Sequence, residues 1–150
     1  MPQVPSSAPA ISHIPVVHWA VPMPPLNLKP SHKLVKNYYE ALGQFGQLNI
    51  DHEMAVRSAF QNLLGGCGRQ FEWTLVPEYA YRPAKLNPVR IDGALLDTFR
   101  LPRGYWEAKD EHDDLEKEIR AKLDKGYPKN NIIFQAPERA VVYGGAERKD

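Results

Sequence analysis

Hydrophobic and polar positions change period several times along the chain, and each change marks an element. After Pro30, Leu34, Tyr38, Ala41, Leu42 and Phe45 fall on one helical face, with Ser31 placed to cap the helix and Gly43 and Gly46 weakening its end. A second helix is predicted from Asp51, a good N-cap, to Leu64, with Gly65-Gly66 as its stop. Val56, Ala59, Phe60, Leu63 and Leu64 form its core-facing stripe. Glu53 precedes Val56 by three residues, one turn up the edge of that stripe. The period then shortens. Gln70 to Tyr81 is rich in aromatic and β-branched residues and reads as a strand interrupted by Pro77, and Pro83 and Pro88 mark the loop after it.

Arg90 to Asp110 reads as two short strands joined by a turn near Arg100–Gly104. A charged helix follows, about Asp113 to Lys125, acidic at its start and basic at its end as the helix dipole favours. Glu116–Arg120 and Glu118–Lys122 are spaced as i, i+4 pairs on its solvated side, and Gly126 caps it. Asn131 to Gln135 gives a short buried strand. Pro137 breaks it and Ala140–Tyr143 resumes it. The order is helix, helix, three strands, helix, one or two strands, which describes an α/β domain with a mixed central sheet flanked by helices.

Composition narrows the picture without naming a function. Eight of the 14 prolines fall in residues 1–30, too many for a helix, so that stretch reads as a tail or linker ahead of a single domain over 31–150. Truncation of that domain at its C-terminus is left open. A chain of 150 residues, 43% apolar and 25% charged, suits one modest core. The net charge of +1 supplies no global field for nucleic acid, so any such contact must come from a local patch. The single cysteine, Cys67, excludes an internal disulfide framework and fits a cytoplasmic chain. No apolar run approaches a membrane span, and no membrane partner is expected.

The chemistry concentrates in the Arg90–Asp110 hairpin. Side chains alternate along a strand, so Glu107 and Lys109 share one face while Trp106 and Ala108 take the other. Asp92 stands on the preceding strand, with fourteen residues between it and Glu107. Two carboxylates and an ammonium on one side of a hairpin are costly to bury unpartnered, and a divalent metal with a polyanionic substrate would be such a partner. Magnesium takes hard oxygen ligands, which Asp92, Glu107 and the backbone carbonyl of Ala108 can supply, while Lys109 can orient a water or steady developing charge. Glu53 can add a carboxylate through a water or a second ion. Arg90, Arg100 and Arg103 flank the hairpin as candidate DNA phosphate contacts, which give affinity without sequence choice.

The order of elements, with Asp92, Glu107-Ala108-Lys109 and an upstream helical Glu53, resembles the PD-(D/E)XK nuclease superfamily and its restriction-endonuclease-like core. More narrowly, NYYEALGQFGQLNIDHEMAVRSAFQNLL, FEWTLVPEY, RIDGALLD and YWEAKD are similar to the N-terminal nuclease of single-chain type ISP restriction–modification enzymes, over about Ser31 to Tyr143. The resemblance implies that Asp92 and Glu107 bind Mg²⁺, with Mn²⁺ able to substitute, that Lys109 serves catalysis and that Glu53 assists. It also implies double-stranded DNA as substrate and helicase-like and methyltransferase domains in the same or a partner polypeptide. Two departures stand out: Ile91 occupies the position named for proline, and no phosphate loop or methyltransferase motif lies in these residues. A catalytically silent DNA- or protein-binding module is the alternative, as is a fragment of a protein whose main activity is adenine-N6 methylation.

Overall fold

The computed structural model describes residues 28–48, 52–110, 114–144 and 147–150. The expected proline-rich tail, apart from its last three residues, lies outside the described residues, as do the expected cap Asp51 and helix start Asp113. The elements are α1 (Lys33–Gln47), α2 (His52–Arg69), β1 (Thr74–Tyr81), β2 (Val89–Leu96), β3 (Pro102–Ala108), α3 (Leu115–Asp124), β4 (Ile132–Gln135), β5 (Ala140–Gly144) and β6 (Glu147–Lys149). All six strands form one sheet in sequence order. Neighbours pair antiparallel except β3 and β4, which are parallel because α3 carries the chain back between them. The α/β architecture with a mixed, helix-flanked sheet agrees with the sequence pattern, and β6 adds a strand to it.

The two faces of the sheet are set by alternation on β3. Trp106, fully buried, stacks on Phe60 of α2 with ring centroids 5.7 Å apart. Its neighbour Tyr105 joins the cluster of Leu115 and Ile119 from α3 with Ile132, Phe134 and Val141 from β4 and β5. Consecutive residues point to opposite faces, so α2 and α3 cover opposite sides. The helix α1 packs on α2 rather than on the sheet and buries no residue fully.

Three local expectations are corrected. The side chain that caps α1 is His32, whose Nδ1 accepts the Leu34 N–H at 3.2 Å, one residue beyond the expected Ser31. Gly65-Gly66 does not stop α2, which runs on to Arg69. There glycine serves close packing: a Cβ on Gly66 would lie 2.6 Å from Leu34 Cδ2, and one on Gly68 would lie 2.7 Å from Leu95 Cδ2. The hairpin turn falls at Asp97–Leu101 rather than at Arg100–Gly104, because the Asp97 carboxylate accepts the N–H groups of Phe99 and Leu101, both at 2.9 Å. In that turn Arg100 takes a left-handed φ of 63°. Pro77 does sit in β1, and β1 is an edge strand, where a sheet tolerates proline. Among the described residues no helix is long and apolar enough to cross a membrane.

The helix α3 begins at Asp114, whose side chain accepts from the N–H groups of Glu116 and Lys117 at 3.1 and 3.2 Å. It ends at Gly126, whose φ of +98° favours glycine and whose Cβ would meet Pro83 and Leu86 under 3.0 Å. Asp114→Ala leaves two first-turn N–H groups without the cap and is expected to lower stability by about 1 kcal/mol. Urea denaturation would show this as a lower midpoint at unchanged slope.

Candidate active site

The site lies where β2 and β3 part. Their backbone pairing runs from Leu96↔Pro102 only as far as Gly93↔Trp106. Beyond that, β3 follows β4 through Ala108↔Gln135, and Lys109 N–H donates to the Gln135 carbonyl at 2.7 Å. At the fork, side chains replace the ladder reciprocally. Glu107 Oε2 accepts the Asp92 N–H at 3.2 Å, and Asp92 Oδ2 accepts the Ala108 N–H at 2.8 Å. Further down β2, the Tyr127 hydroxyl donates to the Arg90 carbonyl at 2.8 Å. Buried backbone groups must find partners somewhere, and here two carboxylates and a phenol supply them. Each carboxylate is thereby fixed in direction by one oxygen.

The other oxygen of each carboxylate faces a cation. Glu107 is 3% exposed, and its Oε1 lies 2.6 Å from Lys122 Nζ and 3.7 Å from Lys109 Nζ. Lys109 is also paired with Glu118 of α3 at 3.3 Å. Burial pulls the Lys122 ammonium down, but the hydrogen bond and charge of Glu107 outweigh it and raise Lys122 above its ordinary value. Lys122 also donates to the Tyr127 hydroxyl at 3.2 Å and stands 4.9 Å from that ring's centroid. On the other carboxylate, Asp92 Oδ1 lies 2.7 Å from Arg57 Nη2, and the same nitrogen lies 2.8 Å from Glu78 Oε1. Glu78 occupies the β1 position opposite Asp92, between the pairs Pro77↔Gly93 and Tyr79↔Ile91, with a left-handed φ of 52°. A non-glycine residue with that φ inside a strand is strained, and such strain clusters at functional sites.

Asp92, Glu107 and Lys109 are thus brought together, with Ala108 between them and its N–H committed to Asp92. Glu53 stands in the first turn of α2, one helical turn before Arg57, and its side chain lies outside the described residues. Arg90 is exposed two residues before Asp92. Arg100 and Arg103 are not gathered at the site. At about 3.3 Å per residue, Arg103 stands roughly 13 Å up β3 from Glu107. Its guanidinium is held by Asp97 at 2.6 Å. Further along the chain, Arg139 and Arg148 pair with Glu116 and Asp150. Gln135, 4% exposed, donates its amide to the Ala136 carbonyl at 2.9 Å, which suits a satisfied amide at a strand end.

Five residues around this site were not read as site residues from the sequence: Arg57, Glu78, Glu118, Lys122 and Tyr127. The reading of Glu118–Lys122 as a solvated pair is corrected, because each crosses to the sheet instead, Glu118 to Lys109 and Lys122 to Glu107. The expected Glu116–Arg120 pair is replaced too: Arg120 Nε donates to the Glu116 carbonyl, and the Glu116 carboxylate goes to Arg139 and Arg148. A signal for Lys122 was present. It stands seven residues after Leu115 and three after Ile119, both buried, on the apolar stripe itself.

Among the described residues no group of three or more His, Cys, Asp or Glu side chains converges closely enough to hold a metal ion. An ion here would therefore draw on the two carboxylates of Asp92 and Glu107, with carbonyl or water oxygens completing its shell. The donor chemistry fits a hard dication. The remaining oxygen of each carboxylate is held by a cationic side chain, Arg57 on Asp92 and Lys122 on Glu107, which a bound ion would have to displace.

No family model and no curated protein matches the chain. Among solved structures, the chain is similar to one in a cryo-EM structure of a DrdV–DNA complex, with a TM-score of 0.73 and 39% sequence identity over 78% of this chain. The match spans 12% of that protein's chain, so this chain corresponds to a small part of its length. Fold and sequence together give it a restriction-endonuclease-like relation.

Proposed function

We propose that the chain is a Mg²⁺-dependent DNA endonuclease domain of the PD-(D/E)XK type, hydrolysing phosphodiesters as the cleavage module of a type ISP-like restriction–modification enzyme. The observation that carries this reading is the fork, where Asp92 and Glu107 cap each other's strands at 2.8 and 3.2 Å with Lys109 beside them. The likeness to a protein solved with DNA supports a DNA substrate. Asp92, Glu107 and the Ala108 carbonyl would hold the ion. Bound Mg²⁺ polarises a phosphate and lowers the pKa of a water nucleophile, with Mn²⁺ able to substitute.

The chain's own residues do the rest. The N–H groups of Asp92 and Ala108 hold the two carboxylates in their mutual orientation before any substrate arrives. Such preorganisation is what makes electrostatic stabilisation effective. Lys109 presents a positive charge and proton donors to the scissile phosphate and the attacking water. Glu118 keeps its ammonium near the fork. Arg90, exposed two residues before Asp92, would hold the DNA backbone close to the site, and Arg100, exposed at the hairpin tip, would contact a phosphate further along. Glu53 would assist, as the family resemblance implies. Target choice and translocation fall to methyltransferase, recognition and helicase-like domains beyond this domain.

Metal removal tests the reading. Nicking of supercoiled DNA by this chain is expected with Mg²⁺ or Mn²⁺, to vanish with EDTA, and to return when the ion is restored. DNA binding without cleavage in either metal would replace the endonuclease by a silent DNA-binding module of the same fold.

A further inference from the structure

The nearest cation to the motif carboxylate is not the motif lysine. Lys122, from α3, stands 2.6 Å from Glu107 Oε1, while Lys109 is 3.7 Å away and shares its ammonium with Glu118. Glu107 is 3% exposed, so its charge needs a partner inside the protein. Lys122 lies on the buried stripe of its helix, where a lysine is out of place unless paired. Its ammonium has a second seat, the Tyr127 hydroxyl at 3.2 Å and the ring 4.9 Å below it. Tyr127 is itself fixed by donating to the Arg90 carbonyl. Lys122 thus occupies the carboxylate oxygen that a metal would take, and because the same ammonium already bonds Tyr127, it keeps a partner when Glu107 lets it go.

We propose that Lys122 is a positioning residue that acts as the resident counter-cation of Glu107, holding the carboxylate aimed into the fork until a divalent ion takes its place and leaves the ammonium to Tyr127. The proposal rests on the endonuclease reading, in which Glu107 binds metal. It means that metal occupancy without DNA is held down by an internal competitor. The phosphates of bound DNA, by attracting both the ion and the released ammonium, favour the exchange. The domain would then load its ion together with its substrate.

Calorimetric titration of the chain with Mn²⁺ in the absence of DNA tests this, alongside thermal melting in EDTA and in Mn²⁺. Lys122→Met is expected to bind Mn²⁺ about tenfold more tightly than the unaltered chain, the factor that about 1.4 kcal/mol of competing ion-pair energy represents. It should also melt lower in EDTA and gain more from Mn²⁺ than the unaltered chain does. Lys122→Gln, which keeps a hydrogen-bond donor but no charge, should shift affinity the same way and covers the case in which the methionine variant does not fold. Lys122→Arg should stay close to the unaltered chain, as should Lys125→Met, an exposed lysine at the end of the same helix.

Equal or weaker Mn²⁺ binding by folded Lys122→Met and Lys122→Gln, with the unaltered chain binding the ion, would overturn the counter-cation role and leave the endonuclease reading standing. A melting loss of the same size in EDTA and in Mn²⁺ would assign Lys122 to packing alone and overturn it too. Absence of Mn²⁺ binding in every variant and in the unaltered chain would remove both the role and the reading beneath it.

Discussion

Asp92→Ala is expected to lower Mg²⁺-supported DNA nicking by about a thousandfold or more, at the upper end of what removal of one preorganised electrostatic group does. The carboxylate contributes one of the two acidic ligands at the fork, and no group of three or more such side chains gathers there among the described residues. Alanine also strips the acceptor from the half-buried Ala108 N–H, an orphan worth about 1–3 kcal/mol. Arg57 keeps Glu78 as a partner at 2.8 Å, so no unpaired guanidinium adds to that loss. Loss of activity in this variant therefore has two readings, chemistry and a loosened strand. Asp92→Asn separates them. Its amide oxygen still accepts the Ala108 N–H, and Arg57, which loses Asp92, keeps Glu78, so thermal melting should fall less than in Asp92→Ala, while the charge that a hard dication requires is gone. Plasmid nicking should fall as far in Asp92→Asn as in Asp92→Ala. Cleavage by Asp92→Asn at the unaltered rate would end the assignment of Asp92 as a metal ligand.

Asp92, Glu107 and Lys109 were legible because their placement depends on one short-range rule, the alternation of side chains along a strand. The stripe of α2 and the helical phase of α1 were legible for the same reason. What escaped depends on contacts between elements distant in sequence. Gly65-Gly66 looks like a stop because the helix cost of glycine is local, whereas the approach of Leu34 to Gly66 that repays it is not. Glu118 and Lys122 look like a surface pair because i, i+4 spacing is visible in the sequence. Their true partners lie at the end of β3 and just beyond it, reached only once α3 packs across the sheet. The bridge from Arg57 to Asp92 and Glu78 needs the β1–β2 register and a left-handed residue in mid-strand, and no pattern of residue types announces either. The reciprocal capping at the fork is of the same kind. It exists because β3 leaves β2 for β4, a topological event that the order of elements alone does not locate to a residue.

That departure from β2 begins immediately after Trp106, and Trp106→Ala is expected to destabilise the fold by about 3–5 kcal/mol. Against a total of roughly 5–15 kcal/mol for a domain, such a loss brings the chain close to unfolding. The indole is fully buried, stacks on Phe60 of α2 at 5.7 Å, and lies over Gly93, where a Cβ would come within 3.0 Å of the ring. It fills the space between sheet and helix directly behind Glu107, so its removal also slackens the α2 surface that carries Arg57 to Asp92. Yet its Nε1 has no hydrogen-bond partner among the described residues. A buried N–H without an acceptor is a liability of about 1–3 kcal/mol, so Trp106→Phe should behave differently. Phenylalanine keeps a ring against Phe60 and discards the unpaired donor, offsetting much of the lost volume. Circular dichroism during urea denaturation should place Trp106→Phe within about 1.5 kcal/mol of the unaltered chain, and Trp106→Ala well below both. Equal losses in the two variants would mean that the indole N–H is satisfied after all. The ring would then hold the fork by a directed bond as well as by its bulk.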